Sequence, residues 1–414
     1  MFEFENFDPS AKIKVFGIGG GGSNAVDSMI DANVQGVEFF VVNTDAQALA
    51  RSKAPVKLQI GQELTAGRGA GADPHMGEES AREAEDAIRE MIQGTDMLFI
   101  TAGLGGGTGT GAAPVVAEIA SSMDILTVAV VTRPFRFEGP QRMRRANEGL
   151  ERLRQYVDTC LIVSNDKLLE VVDKKASLQE AFEKANEVLR VGLTSISDLI
   201  SVPGLINVDY SDVHTIMSKT GGAVMGTGEG KGENRAEEAV RKACSSPLLE
   251  KVVIDGARGV LICVSGGPDM TLHEVNEATT MVYQAASPDA NIIFGAIIDE
   301  NLRDSMRVTI IATGFEDKQM GAGGVTSFEP PMPMPRPQSI PAPASVQAPA
   351  PEVAERRASG IPEHHVSQPA PAAAAPAPAV AQRQVPITPA PTPVVAEQKP
   401  DLPPFLQKKR GLFD

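Results

Sequence analysis

The sequence predicts an α/β protein: a doubly wound, mostly parallel sheet, a long connecting helix, a second and smaller α+β domain, and a disordered C-terminal tail. Three observations carry that expectation. Apolar runs of strand length alternate with stretches of helical spacing from residue 12 to residue 163, the order that a parallel sheet covered on both faces produces. Glycine clusters follow two of those runs directly, at 17–22 and 103–111, where strands of such a sheet end in turns. Composition then changes abruptly. Of 31 prolines, 21 lie from Pro330 onward, interleaved with Ala, Gln and Val, which leaves too little apolar surface to order the segment.

Taken in order, residues 12–17 read as a first strand running into Gly19-Gly20-Gly21-Gly22-Ser23-Asn24, and a helix follows that is apolar at Ala25, Val26, Met29 and Ile30. Residues 37–45 form a second strand with a polar end, completing a βαβ unit, and residues 56–60 a third. A glycine loop over 67–74 and a charged helix over 78–92 precede the buried strand Met97-Leu98-Phe99-Ile100. The 103–111 cluster is read as a loop, with helical spacing from Ala112. Residues 125–131 are apolar apart from Thr127, as strands inside parallel sheets are. A basic amphipathic helix over 138–155 and a strand over 158–163 follow. These elements make a first domain over 12–176, behind a short extension at 1–11.

Ser177 with Glu180 three residues on is a capping box, opening one long helix to about Ser201 that Pro203-Gly204 stops. It is assigned to 177–202 as the connecting helix. Residues 203–316 form the smaller domain: an acidic loop at 206–212, a short helix to about Ser218, strand material over 220–230, a helix over 233–245, a strand over 259–264, a helix over 271–285, and strands at 291–298 and 306–313. A disordered linker covers 317–400. At 401–414 apolar residues return, with Leu402, Pro403, Phe405 and Leu406 ahead of Lys408-Lys409-Arg410. Apolar anchors beside a basic cluster at the end of a tether make a docking peptide.

Bulk properties narrow the function. The net charge is −15, with +2 from Lys318 onward and −17 before it. A body this acidic argues against nucleic acid as the main partner, because phosphate contacts need a basic surface. Cys160, Cys244 and Cys263 are far apart and form no Cys-x-x-Cys, which is reduced, intracellular usage. The acidic start carries no apolar signal segment, and no run approaches the roughly 20 apolar residues of a membrane helix. The expectation is a cytosolic protein without membrane insertion.

Strand, glycine cluster and helix in succession point backbone N–H groups and a helix N-terminus at one place, and glycine lets a ligand approach the backbone closely. The 103–111 cluster suits a phosphate chain, with Thr108 and Thr110 adding hydroxyls. Residues 17–22 formally match G-x-G-x-x-G, with Asp45 about 20 residues on, which keeps a nicotinamide dinucleotide open. No lysine follows the main cluster, so it is not a Walker loop, and Gly226–Gly232 has the wrong spacing for one. His273-Glu274 lacks a second histidine, and His75 and His214 lack partners at metal-ligand spacing, which sets zinc aside. Two clusters, with a third at 67–72, favour a nucleoside triphosphate wrapped from several sides. Mg2+, held by the phosphates and not by a dedicated protein cage, would neutralise charge that no lysine covers.

Gly105-Gly106-Gly107-Thr108-Gly109-Thr110-Gly111 resembles the G-G-G-T-G-[ST]-G signature of the tubulin/FtsZ family. Gly19–Asn24, Asn43-Thr44-Asp45 and Asn207-Val208-Asp209-Tyr210-Ser211-Asp212 extend the resemblance over 12–315, and it returns at 401–410. The resemblance implies GTP binding and hydrolysis to GDP and phosphate, with head-to-tail filaments forming the bacterial division ring. Gly20, Gly21, Gly22, Ser23, Asn24, Gly71, Gly107, Thr108 and Gly109 would hold the phosphates. Glu138 and Arg142, read as i, i+4 on one helix, would face ribose and phosphates; the plain alternative is a surface ion pair. Phe182 and Asn186, also i, i+4, would stack on and hydrogen-bond the guanine, where plain core packing is the alternative for Phe182. Asn207, Asp209 and Asp212 would be catalytic, completing the nucleotide site of the adjacent subunit; helix capping is the alternative for the two aspartates. Ser23 stands in a run that is often all glycine in relatives, and its hydroxyl is expected near phosphate. The tail would bind membrane-anchoring and regulatory division proteins on the inner face of the membrane.

Overall fold

A strand that is buried at all positions but one needs cover on both faces. β1 (Ile13–Ile18), β4 (Met97–Gly103) and β5 (Leu126–Arg133) are of this kind and lie side by side. In this computed structural model, which describes residues 11–170, 172, 175–202, 204–246 and 256–315, they sit within a ten-stranded sheet. β2 (Glu38–Asn43) and β3 (Val56–Gln59) extend it on one side of β1, and β6 (Thr159–Ser164) extends it beyond β5, all in parallel. The order β3-β2-β1-β4-β5-β6 reverses its winding between β1 and β4, and at such a point the carboxyl ends of two neighbouring strands open a crevice.

Helices α1 (Gly19–Asp31), α9 (Leu178–Ser201) and α10 (Tyr210–Met217) pack on one face through Met29, Leu193 and Val213 against Val15 and Val128. On the other, α4 (Pro74–Glu83), α5 (Glu85–Ile92), α6 (Thr108–Ser122) and α7 (Pro140–Leu153) bury Ala81, Ile88, Val116 and Leu150 against Phe16 and Leu98. The short α2 (Ala46–Arg51), α3 (Gln62–Thr65) and α8 (Asn165–Leu168) fill connections. The capping box of α9 forms as expected: Ser177 N donates to Glu180 Oε2 at 2.6 Å and Glu180 N to Ser177 Oγ at 3.2 Å.

The sheet does not stop at the connecting helix. β7 (Gly221–Lys231) pairs in parallel with β6 over Thr159–Leu161, and β10 (Ser305–Thr313) runs antiparallel between β7 and β8 (Gly259–Gly266). β9 (Asn291–Ile298) closes the edge in parallel with β8. α11 (Arg235–Cys244) and α12 (Leu272–Ala285) cover this part through Val240 and Val282. They are tied by the buried Arg235, which pairs with Asp269 and donates from Nε to Glu274 Oε1 at 2.6 Å. That guanidinium holds the Glu274 carboxyl down at about 2.

Three expectations change. The helix over 78–92 is two helices, broken at Ala84, which leaves helical geometry at φ −105° and ψ 19°. The helix over 138–155 starts only at Pro140, after a 3-10 turn over Arg136–Glu138 and Gly139 at φ +99°. The glycine clusters are only partly loops: Gly19–Gly22 and Thr108–Gly111 are the first turns of α1 and α6. Glycine is poor in helices, but a side chain at Gly111 would meet Pro74 O at 1.9 Å and one at Gly22 would meet Thr101 O at 2.3 Å. Close backbone packing selects glycine here. Among the described residues no helix is long and apolar enough to cross a membrane. The extension, the linker and the docking peptide with Leu402, Pro403, Phe405 and Leu406 lie outside the described residues.

Candidate functional site

Two helices begin at the crevice between β1 and β4. The first N–H groups of a helix have no partner within it. α1 follows Ile18 and α6 follows Gly107, neither with a side-chain cap, and neither first turn contains an acidic residue. Uncapped amides and two helix dipoles favour an anion at this spot. The two ends touch: a Cβ on Gly19 would stand 2.8 Å from Gly109 N. A third segment arrives from the turn in which Asp73 N donates to Ala70 O at 2.9 Å, and a Cβ on Gly107 would meet that of Ala70 at 2.8 Å. Gly20, Gly71 and Gly106 face open space. So Gly20, Gly21, Gly22, Gly71, Gly107 and Gly109 form one cradle, with Asn24 exposed one turn into α1.

The hydroxyls of the cluster behave otherwise than expected. Thr110 is fully buried and its Oγ1 accepts from Gly105 N at 2.8 Å, so it closes the glycine turn. Thr108 Oγ1 lies 2.7 Å from Thr44 Oγ1, which ties the end of β2 to the start of α6. Ser23 Oγ turns back and donates to Gly19 O at 2.7 Å, in place of the expected phosphate contact. A hydroxyl one turn into a helix reaches the carbonyl four residues back more readily than a ligand beyond the helix end. Asp45, the acid of the dinucleotide pattern, caps α2 by accepting from Gln47 N at 2.8 Å and Ala48 N at 3.1 Å. A ribose would have to compete with that cap.

The rim is built from the loop after β5 and the start of α9. Glu138 and Arg142 do not share a helix, since Gly139 separates the 3-10 turn from α7, yet they pair at 3.0 Å. Glu138 Oε1 also accepts from Phe135 N at 2.8 Å. Arg142 packs on the glycine turn, where a Cβ on Gly105 would meet its Cγ at 2.8 Å. The buried Phe135 stacks on Phe137 at 4.9 Å and meets Phe182 edge-on at 5.4 Å. Phe182 is 41% exposed, which excludes plain core packing, and Asn186 stands one turn further along α9. Two residues to which the sequence reading gave no site role also belong to this edge. Asn43 and Asn165, at the carboxyl ends of β2 and β6, are buried, and Asn43 Nδ2 and Asn165 Oδ1 have no hydrogen-bond partner. The signal was available: each is a polar amide placed directly at the end of an apolar strand.

The acidic loop is elsewhere. Asn207, Asp209 and Asp212 are exposed. Asp209 occupies the N-cap position of α10 without a side-chain cap bond, so the capping alternative fails for it. Asn207 Oδ1 accepts from Gly204 N at 2.5 Å, closing the loop. Tyr210 Oη donates to Asp96 O at 2.8 Å, immediately before β4 begins. The cradle lies at the other end of that seven-residue strand, about 20 Å away at roughly 3.3 Å per residue. Within one chain the carboxylates and the cradle occupy opposite edges of the sheet.

The model of the tubulin/FtsZ family GTPase domain matches residues 12–173, and that of the FtsZ family C-terminal domain matches residues 221–316. Among solved structures, an empty dimer of FtsZ from M. jannaschii is 50% identical, with a TM-score of 0.71 over 73% of this chain and 88% of that one. A point mutant of the same FtsZ is 49% identical, with a TM-score of 0.72 over 74% and 92%. CetZ2 from Haloferax volcanii, in a GTPγS-bound protofilament, shares the fold at 22% identity, with a TM-score of 0.63 over 74% and 94%.

Proposed function

This chain belongs to the tubulin/FtsZ family of GTPases, and on that premise we propose that it assembles head to tail into filaments and hydrolyses GTP in sites shared between neighbouring subunits. The observation that carries this reading is the separation just described. A cradle on one edge of the sheet and a carboxylate loop on the opposite edge meet when one subunit stacks on the next, a heterologous contact that propagates without closing. The dimeric state of the M. jannaschii FtsZ structure supports the same reading.

In such a contact the amides of Gly20, Gly21, Gly22, Gly107 and Gly109 hold the phosphates, with Gly71 near the terminal one. Phe182 and Asn186 take the guanine, and Glu138 and Arg142 the ribose and phosphates. Asp209 and Asp212 of the adjacent subunit orient a water toward the terminal phosphorus. The bond from that phosphorus to its bridging oxygen breaks, leaving GDP and phosphate. Among the described residues no group of three His, Cys, Asp or Glu side chains is placed to hold a metal. Mg2+ bound to the phosphates would supply the neutralising charge. On this reading the filaments form the bacterial division ring at the inner face of the membrane, where the 401–414 peptide docks to anchoring and regulatory proteins.

One experiment tests the core of the proposal: light scattering and phosphate release after adding GTP and Mg2+, on wild type and Asp212→Ala. Wild type should scatter and turn over, and the variant should bind GTP and assemble with turnover at least 100-fold lower. Turnover near wild type in the variant, or hydrolysis without assembly, would sink it. A chain ending at residue 400 should still assemble while losing capture by anchor proteins; lost assembly would overturn the docking role.

A further inference from the structure

Among the described residues, neither Asp209 nor Asp212 has its carboxylate held by another side chain. Their placement comes from the segments on either side. Upstream, the loop is stitched to β9: Leu205 N and Ile206 N donate to Ala296 O at 2.9 and 3.3 Å, and Ala296 N donates to Ile206 O at 3.0 Å. Downstream, the far end of α10 is fixed to the sheet, where Thr159 Oγ1 donates to Met217 O and Thr313 Oγ1 to Ile216 O at 3.1 Å. The acidic turn lies between these attachments. Of residues 209–212, Tyr210 is the one whose side chain reaches back to the sheet, through its 2.8 Å bond to Asp96 O.

The anchor for that bond is itself fixed. Asp96 N and Met97 N both donate to Lys12 O, at 3.0 and 3.3 Å, and Asp96 Oδ2 accepts from Lys12 N at 2.8 Å. Tyr210 therefore fastens to the paired starts of β1 and β4, the two strands whose other ends open the cradle. Both strands are buried along nearly all their length, which makes them a rigid member between a subunit's cradle and its acidic loop. The Tyr210 ring packs against the core and meets His214 edge-on at 5.9 Å, contacts that do not involve the hydroxyl. Burial, with Asp96 and Asp158 nearby, pushes that hydroxyl up to about 12, so it is protonated and able to donate at neutral pH. A hydrogen bond to a carbonyl constrains direction as well as distance. Placement matters here, because a shift of about 1 Å in a reacting geometry can cost on the order of 100-fold in rate.

On the reading that nucleotide sites are shared between subunits, we propose that the Tyr210 hydroxyl is a positioning group for hydrolysis. By holding the acidic turn on β1 and β4, it sets where Asp209 and Asp212 stand against the nucleotide of the next subunit. Tyr210→Phe keeps the ring and its packing and removes only the bond. In the full chain with GTP and Mg2+, it should lower kcat by about five-fold or more, with KM for GTP and the assembly threshold within about two-fold of wild type. A bond that served stability alone would move the melting temperature or the threshold and leave kcat unchanged, and that result overturns the proposal. Mixed filaments locate the defect. Gly20→Ala subunits supply a sound loop, and Asp212→Ala subunits supply a sound cradle. Tyr210→Phe added to the Gly20→Ala chain should lower turnover of the mixture by the same factor. Added to the Asp212→Ala chain, whose loop is already inactive, it should leave turnover as it was. Equal loss from either chain overturns the proposal while the shared site stands. A parent mixture without turnover removes the shared site, and the proposal falls with it.

Discussion

At the residue scale, the glycines of one cluster have different reasons to be glycine. A Cβ at Gly20 would meet nothing within 4 Å, while one at Gly22 would meet Thr101 O at 2.3 Å. Gly20→Ala should therefore leave stability unchanged or raise it by up to about 1 kcal/mol, the helix propensity difference. It should also weaken GTP binding ten-fold or more, because the new methyl stands where phosphate approaches the amides. Gly22→Ala should instead lower stability by about 1–3 kcal/mol through overpacking. Thermal unfolding with and without GTP separates the two, and equal behaviour would show that the cradle is misplaced. The glycines could be read from the sequence, but their division of labour could not, since it depends on which strand lies opposite each one.

At the element scale, α9 shows what periodicity reveals and what it hides. Its capping box and apolar stripe were legible from spacing, and both are present in the structure. Nothing in the spacing marks Asp198 as unusual. Burial, with Asp299 beyond β9 adding to it and Arg190 opposing, raises the Asp198 carboxyl to about 6. The unfolded value is about 3.9, so the folded state binds the proton more tightly. The associated stabilisation is complete below about pH 4 and is lost as pH rises through about 6. Asp198→Asn should thus be more stable than wild type at pH 7, by on the order of 2 kcal/mol, with the gap closing by pH 4. Melting curves at the two pH values check this, and a pH-independent gap would rule it out. The ends of α1 and α6 were misplaced for a related reason. Glycine runs look like loops because propensity is local, whereas the contacts Gly22–Thr101 and Gly111–Pro74 that make glycine acceptable in a helix are not.

For the whole molecule, the sheet order is what divides the site. Parallel strands put every carboxyl end on one edge, so the glycine clusters, Asn43, Asn165 and the 135–142 loop gather there, while Tyr210 fastens the acidic loop beside Asp96 at the amino edge. If neighbouring subunits complete each other, two inactive proteins should rescue one another. Asp212→Ala retains a sound cradle, and Gly20→Ala retains a sound loop. Mixing them should restore GTP turnover toward about a quarter of wild type, given that mixed contacts of the productive kind form that often at random. A mixture as inactive as its parts would exclude a shared site.

The sequence by itself determined the strand and helix order and the places of the glycine clusters and the acidic loop, because these rest on local patterns of apolar spacing, turn residues and charge. Only the tertiary structure decided that the two glycine clusters form one cradle, that Thr110, Thr108 and Ser23 spend their hydroxyls on the scaffold, and that Asn165 joins the rim. It alone showed that the acidic loop stands a strand's length from the cradle. Each of these depends on which strands become neighbours, and strand pairing is a long-range choice that no local stretch of sequence encodes.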